Sequence, residues 1–203
     1  MDSNTNAGMN RPPLGRLMVW TAAAGALGGG LNALHCLITL SEDVKWHIVP
    51  AGMIHGALLA TVSLLCAWWL VDRGVAVRFL GAPAGGYLSG YVSFLPLALS
   101  LGWDLDIFWF GRPESLWDTY SWPLFGFGLV GVTACLGWGA LRLLTSPRLV
   151  VHLGIGCAAG ILGSLWWWIA WHYWAYSLLH GAVWGCLVGY GVWRASRPVP
   201  SKP

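Results

Sequence analysis

The chain has 203 residues, of which 57% are hydrophobic and only 9% charged, with a formal net charge of +3. Soluble domains carry about 25% charged residues, so this composition excludes a water-coated globule of that size and fits a chain surrounded mostly by lipid. Outside the apolar stretches the basic residues form no cluster with interleaved aromatics, and nucleic acid is therefore not an expected partner.

Residues 1–16, rich in Asn, Gly and Pro, read as a disordered cytoplasmic N-terminus. The membrane domain is expected over 17–193, with six helical spans at about 17–40, 47–71, 79–102, 123–144, 149–170 and 175–193. Each apolar run is long enough, at 1.5 Å rise per residue, to cross about 30 Å of hydrocarbon, the last one barely. The first run follows Arg11 and Arg16 but is longer than the apolar core of a signal peptide, so it reads as an uncleaved span. Continuous apolar runs favour helices over barrel strands, because each span must satisfy its own backbone hydrogen bonds. The fold expected is therefore all-α and polytopic.

With the N-terminus inside, Arg11, Arg16, Arg73, Arg78, Arg142, Arg148, Arg194, Arg197 and Lys202 fall on the inner side and only Lys45 and Arg112 outside. That distribution obeys the positive-inside rule and predicts both termini in the cytoplasm, with 194–203 as a cytoplasmic tail. The location expected is a bacterial cytoplasmic membrane, with the lipid bilayer as the first partner and a larger membrane protein complex as another. Pro50, Pro83 and Pro123 are placed in first turns, where a missing N–H costs little. Pro96 lies inside the third span and is expected to kink it. The connection 103–122 mixes acids with aromatics and is expected along the outer membrane surface.

Most of the 28 glycines sit inside the spans. Gly25-xxx-Gly29, Gly52-xxx-Gly56, Gly86-xxx-Gly90, Gly156-xxx-Gly160 and Gly181-xxx-Gly185-xxx-Gly189 form smooth rails along which helix backbones approach closely. Ala24-Gly25-Ala26-Leu27-Gly28-Gly29 matches Ala159-Gly160-Ile161-Leu162-Gly163-Ser164, and Ile54-His55-Gly56-Ala57 matches Leu179-His180-Gly181-Ala182. Both matches run in one direction. They suggest a parallel repeat relating spans 1–2 to spans 5–6 about an axis along the membrane normal.

No span carries Asp, Glu or Lys away from its ends, so carboxylate-coupled transport has no handle. Walker A and HExxH motifs are absent, as is the Gly-x-Ser-Gly nucleophile signature of rhomboid-type proteases. The five cysteines stand singly in apolar runs, without CxxC or CxxCH, and read as buried thiols. What remains is histidine. His35, His47, His55, His172 and His180 all belong to the outer half, with His152 alone on the inner side. Imidazole ligates haem iron and metal ions and hydrogen-bonds quinones, and it also simply bridges neighbouring helices.

His55, His180 and His35 are the candidate cofactor-binding residues, with His55 and His180 expected to face one another. Trp167, Trp171, Trp174, Tyr176 and Trp184, in a stretch dense with tryptophan, are the candidate wall of an aromatic groove, although tryptophan also serves as an interfacial anchor. The functional expectation is a membrane binding or subunit-type protein. It would hold a hydrophobic ligand or a His-ligated cofactor (haem, a metal ion or a quinone) in its outer half. A facilitator without carboxylate coupling is the alternative, and an enzyme using outer His and Asp residues a second one.

Overall fold

The computed structural model describes residues 12–39, 46–100, 135–146, 148–171 and 174–197. All regular structure among them is helical: α1 (Leu14–Thr39), α2 (Ile48–Leu70), α3 (Val75–Ser100), α4 (over 135–145), α5 (Leu149–Trp171) and α6 (Trp174–Ser196). Among the described residues, Leu14–Ile38 and Ile48–Leu70 are long and apolar enough to cross a membrane, and Leu149–Ser164 is a shorter apolar helix. The loop 103–122, the start of the fourth span, His172 and both chain ends lie outside the described residues.

Several helices overrun their apolar runs. α1 starts at Leu14 rather than Leu17, α3 at Val75 rather than Phe79, and α6 ends at Ser196 rather than Trp193. Hydropathy marks where the apolar residues lie, whereas the i→i−4 ladder continues past them until a turn stops it. α1 starts behind Pro13, whose carbonyl accepts the Leu17 N–H at 3.0 Å, and α3 behind Gly74, whose carbonyl accepts from Arg78 at 3.0 Å. This early start corrects one expectation. Pro83 lies in the interior of α3, not in its first turn, and α3 runs on continuously past both Pro83 and Pro96.

Six antiparallel seams close the helices into an up-and-down ring. At the α1–α2 seam a methyl group on Gly25 would strike the Gly56 carbonyl, and one on Gly29 the Gly52 carbonyl. Between α2 and α3, Cys66 faces Gly85 and Leu70 faces Gly81. α3 meets α4 at Ala82 against Gly137 and at the edge-on rings of Phe79 and Trp138. Ala159 faces Gly139 and Leu136 faces Gly163 between α4 and α5, while Gly156 and Gly160 meet Gly185 and Gly181 between α5 and α6. The ring closes at α6–α1, where Trp184 covers Gly28 and Gly191 lies against Trp20. Helices lacking a polar face bury backbone against backbone here, which small residues alone permit.

The two Gly interlocks use matched residues. Gly25 packs against Gly56 and Ala60, as Gly160 packs against Gly181 and Gly185; Gly56 in turn meets Gly25 and Gly29, as Gly181 meets Gly160 and Ser164. They do not stand level. Gly28 faces Trp184 and His35 faces His180 across α1–α6, which puts Gly181 about six residues outward of Gly25, roughly 9 Å along the bundle. A rotation about the long axis of the bundle thus relates the interlocks only when combined with a shift.

The core runs through Leu17, Leu64, Ala67, Ala82, Trp184 and Val192. Large apolar side chains also cover the outside of the ring, with Val19 68%, Leu80 72% and Val150 79% exposed. The described arginines, Arg16, Arg73, Arg78, Arg142, Arg148, Arg194 and Arg197, all lie at one end of the ring, where α1, α3 and α5 begin and α2, α4 and α6 end.

Candidate functional site

The half of the ring away from the arginines holds three histidines at two seams. On α6, His180 immediately precedes Gly181. That glycine faces α5, so the preceding residue, about 100° around the helix, is turned toward α1. On α1, His35 lies two turns beyond Gly28 and shares its face. Because Gly28 has no side chain, the indole of Trp184 lies directly on α1, with a Cβ at that position meeting Trp184 Cδ1 at 2.8 Å. The close approach brings the two imidazoles together further along the seam, two turns beyond Gly28 on α1 and one turn from Trp184 on α6. His180 Nε2 and His35 Nδ1 are 2.9 Å apart, and the rings meet edge-on with centroids 4.9 Å apart. One of the two nitrogens carries the proton and the other accepts it. Both residues are half-buried.

His55 obeys the same logic on α2. It immediately precedes Gly56, which faces α1, and so turns to the helix on the other side, α3. Its Nδ1–H donates to the Ser93 carbonyl at 2.8 Å. A carbonyl only accepts, so the proton sits on Nδ1 and the lone pair on Nε2. Ser93 lies one turn before Pro96 on α3, but the N–H that Pro96 lacks would have bonded the Val92 carbonyl, so the proline does not by itself account for the choice of Ser93 as acceptor. A buried hydroxyl chain continues inward along this seam, with Ser63 Oγ donating to Ser89 Oγ at 2.7 Å and Ser89 Oγ to the Gly86 carbonyl at 2.7 Å.

The structure corrects the expectation that His55 and His180 face one another: they lie at different seams with different partners. They occupy matching places in two interlocks, and α1 stands between α2 and α6 in the ring. His180 meets His35, and His55 meets α3. The sequence signal for His35 was its place in the outer half of the first span, at the depth of His55 and His180. For the Ser63–Ser89 link no signal existed beyond serines at helical spacing. Of the aromatic candidates, Trp184 is buried at the α1–α6 seam and lines a central cavity of about 20 Å³ together with Ser63, Leu64, Ala140, Gly156 and Val188. That volume holds about one water molecule, and no described residue accepts from the Trp184 indole N–H. Trp167, Trp171, Trp174 and Tyr176 belong to α5 and α6 near their outer ends, with side chains outside the described set.

Elsewhere, His47 is exposed ahead of α2. His152 is fully buried near the arginine end, with Nδ1 donating to the Arg148 carbonyl at 2.9 Å. The Cys186 thiol donates across α5–α6 to the Leu153 carbonyl at 3.8 Å. Among the described residues no three His, Cys, Asp or Glu side chains converge on one point. The chain matches no family model, no curated protein and no solved structure.

Proposed function

We propose that this chain is a six-span integral membrane protein whose termini share the arginine-bearing, cytoplasmic side, and that it binds a ligand in its outer half at the α1–α6 seam. The membrane reading draws support from the apolar exterior. Contiguous apolar surface beyond a few hundred Å² is rare on a protein facing water, and lipid is the medium that tolerates it all around a ring. The orientation draws support from the single-ended arginines.

The observation that carries the binding reading is the 2.9 Å approach of His180 Nε2 to His35 Nδ1. It also ranks the chemistries. Bonds from metal to imidazole nitrogen are about 2.0–2.1 Å, so two nitrogens on adjacent positions of one ion lie about 3 Å apart and two on opposite axial positions about 4 Å. The pair therefore suits neighbouring ligands on a metal ion, or a proton-sharing clamp on a polar headgroup such as a quinone's. Axial haem ligation by this pair requires the seam to open. A metal ion would need its remaining ligands from the incoming group or from outside the described residues.

Titrating the detergent-purified full chain with Co2+ tests this reading, because the ion's visible absorption reports nitrogen ligation. Wild type and His55→Ala are expected to take up one equivalent, and His35→Ala and His180→Ala none, with all variants eluting as wild type. Equal uptake by wild type and both seam variants, or a purified protein holding haem or quinone that survives both substitutions, would remove this seam as the site.

A further inference from the structure

We infer that the arginine end of the α1–α6 seam is a binding site for the phosphate of an anionic phospholipid, built from Arg16, Arg194 and Arg197 and walled by Trp20 and Trp193. Arg16 reaches across the seam, with Nη1 donating to the Arg197 carbonyl at 2.7 Å and Nη2 to the Arg194 carbonyl at 3.1 Å. Both carbonyls lie at the end of α6, where a helix runs out of its own donors; the Arg194 carbonyl also accepts the Arg197 N–H at 3.3 Å. The same contacts hold Arg16 beside the other two. Arg194 lies over the Trp20 ring at 5.2 Å and Arg197 over Trp193 at 4.4 Å, and Trp193 in turn packs against Tyr190 at 5.7 Å.

Three guanidinium groups at one helix end repel one another, and what surrounds them compensates only in part. The end of α6 supplies roughly half a negative charge, and the two indole faces a weak quadrupolar attraction. The one acidic residue within the described segments, Asp72, lies in the α2–α3 turn. A monoanionic phosphodiester meets the deficit. Guanidinium binds it through paired N–H donors, and stacking on tryptophan leaves that donor edge of Arg194 and Arg197 available. The positive-inside rule accounts for positive charge at this end but does not choose between Arg and Lys; here every described basic residue is arginine.

A lipid is the fitting source of the phosphate, not a free anion, because the cluster is continuous with apolar surface. Val19 is 68% exposed beside Trp20, and Tyr190 is 40% exposed beside Trp193, so acyl chains below the headgroup find a wall. Tryptophan at headgroup depth is the usual companion of such a boundary, and basic pockets between spans on the cytoplasmic side hold anionic headgroups.

This inference rests on the spanning reading, so the experiment separates the two. Full-length protein in vesicles is first floated at alkaline pH, which strips peripheral proteins. Release there overturns the spanning reading and the lipid site with it. For protein that stays, native mass spectrometry of the micellar form is titrated with phosphatidylglycerol or with phosphatidylcholine of the same chains. Wild type is expected to retain phosphatidylglycerol at least about tenfold better, and Arg194→Gln/Arg197→Gln to lose about 10- to 30-fold for phosphatidylglycerol alone, at about one tenfold step or less per arginine. Arg194→Lys/Arg197→Lys keeps the charge and should lose part of that preference, whereas Arg142→Gln, away from the seam, should keep it. Equal retention of the two lipids, an unchanged Gln variant, a Lys variant equal to wild type, or displacement of the lipid by millimolar inorganic phosphate would each overturn the proposal.

Discussion

A single methyl group on Gly185 tests the packing more directly than any larger change. A Cβ there would overlap the Gly156 carbonyl, lying 2.6 Å from its carbon and 3.3 Å from the Cys157 nitrogen. These are backbone atoms of a helix and cannot swing away as a side-chain end does, so α5 and α6 must part by about 1 Å. A gap of 0.5–1 Å forfeits a quarter to a half of each van der Waals well, and about 40 atom pairs at 0.1–0.2 kcal/mol each line such a rail, so the loss is about 2 kcal/mol. That matches the 1–3 kcal/mol typical of overpacked sites. Alanine's better helix propensity returns up to about 1 kcal/mol, leaving Gly185→Ala destabilised by about 1–2 kcal/mol. Gly154 supplies the matched control, since it sits on α5, the other helix of this seam, with nothing within 4 Å of its added Cβ. Gly154→Ala should be neutral or stabilising by up to about 1 kcal/mol. Both are read by equilibrium unfolding in mixed detergent micelles followed by far-UV circular dichroism. Two variants of equal stability, or a Gly185→Ala protein as stable as wild type, would mean that this seam is not backbone-packed.

A double-mutant cycle on His35→Ala and His180→Ala should give a coupling of about 0.6–1.7 kcal/mol, the range measured for hydrogen bonds between spans; strictly additive losses would mean that the imidazoles do not bond in the folded protein. A reporter active only in the cytoplasm should work at residue 203 and stay silent at residue 112, and the reverse pattern would dismiss the proposed orientation.

Composition and pattern alone determined that the chain is helical, and the described helices lie along its long apolar runs. A helix satisfies its backbone hydrogen bonds within one segment, and Gly-xxx-Gly spacing marks a helix face without reference to any partner. The same spacing located the interlocks, because Gly25 and Gly160, or Gly56 and Gly181, match residue for residue. Helix ends were less legible, since turns and not hydropathy stop them; Pro83 fell inside α3 for that reason. Which histidines meet was settled only by the tertiary structure. The angular step from Gly56 back to His55 is the same as from Gly181 to His180, but the helix each one then faces depends on the order of six helices around a ring. That order places α1 between α2 and α6, so His180 finds His35 and His55 finds the Ser93 carbonyl of α3. Contacts between seams belong to the arrangement of helices, a long-range property that no single span's spacing encodes.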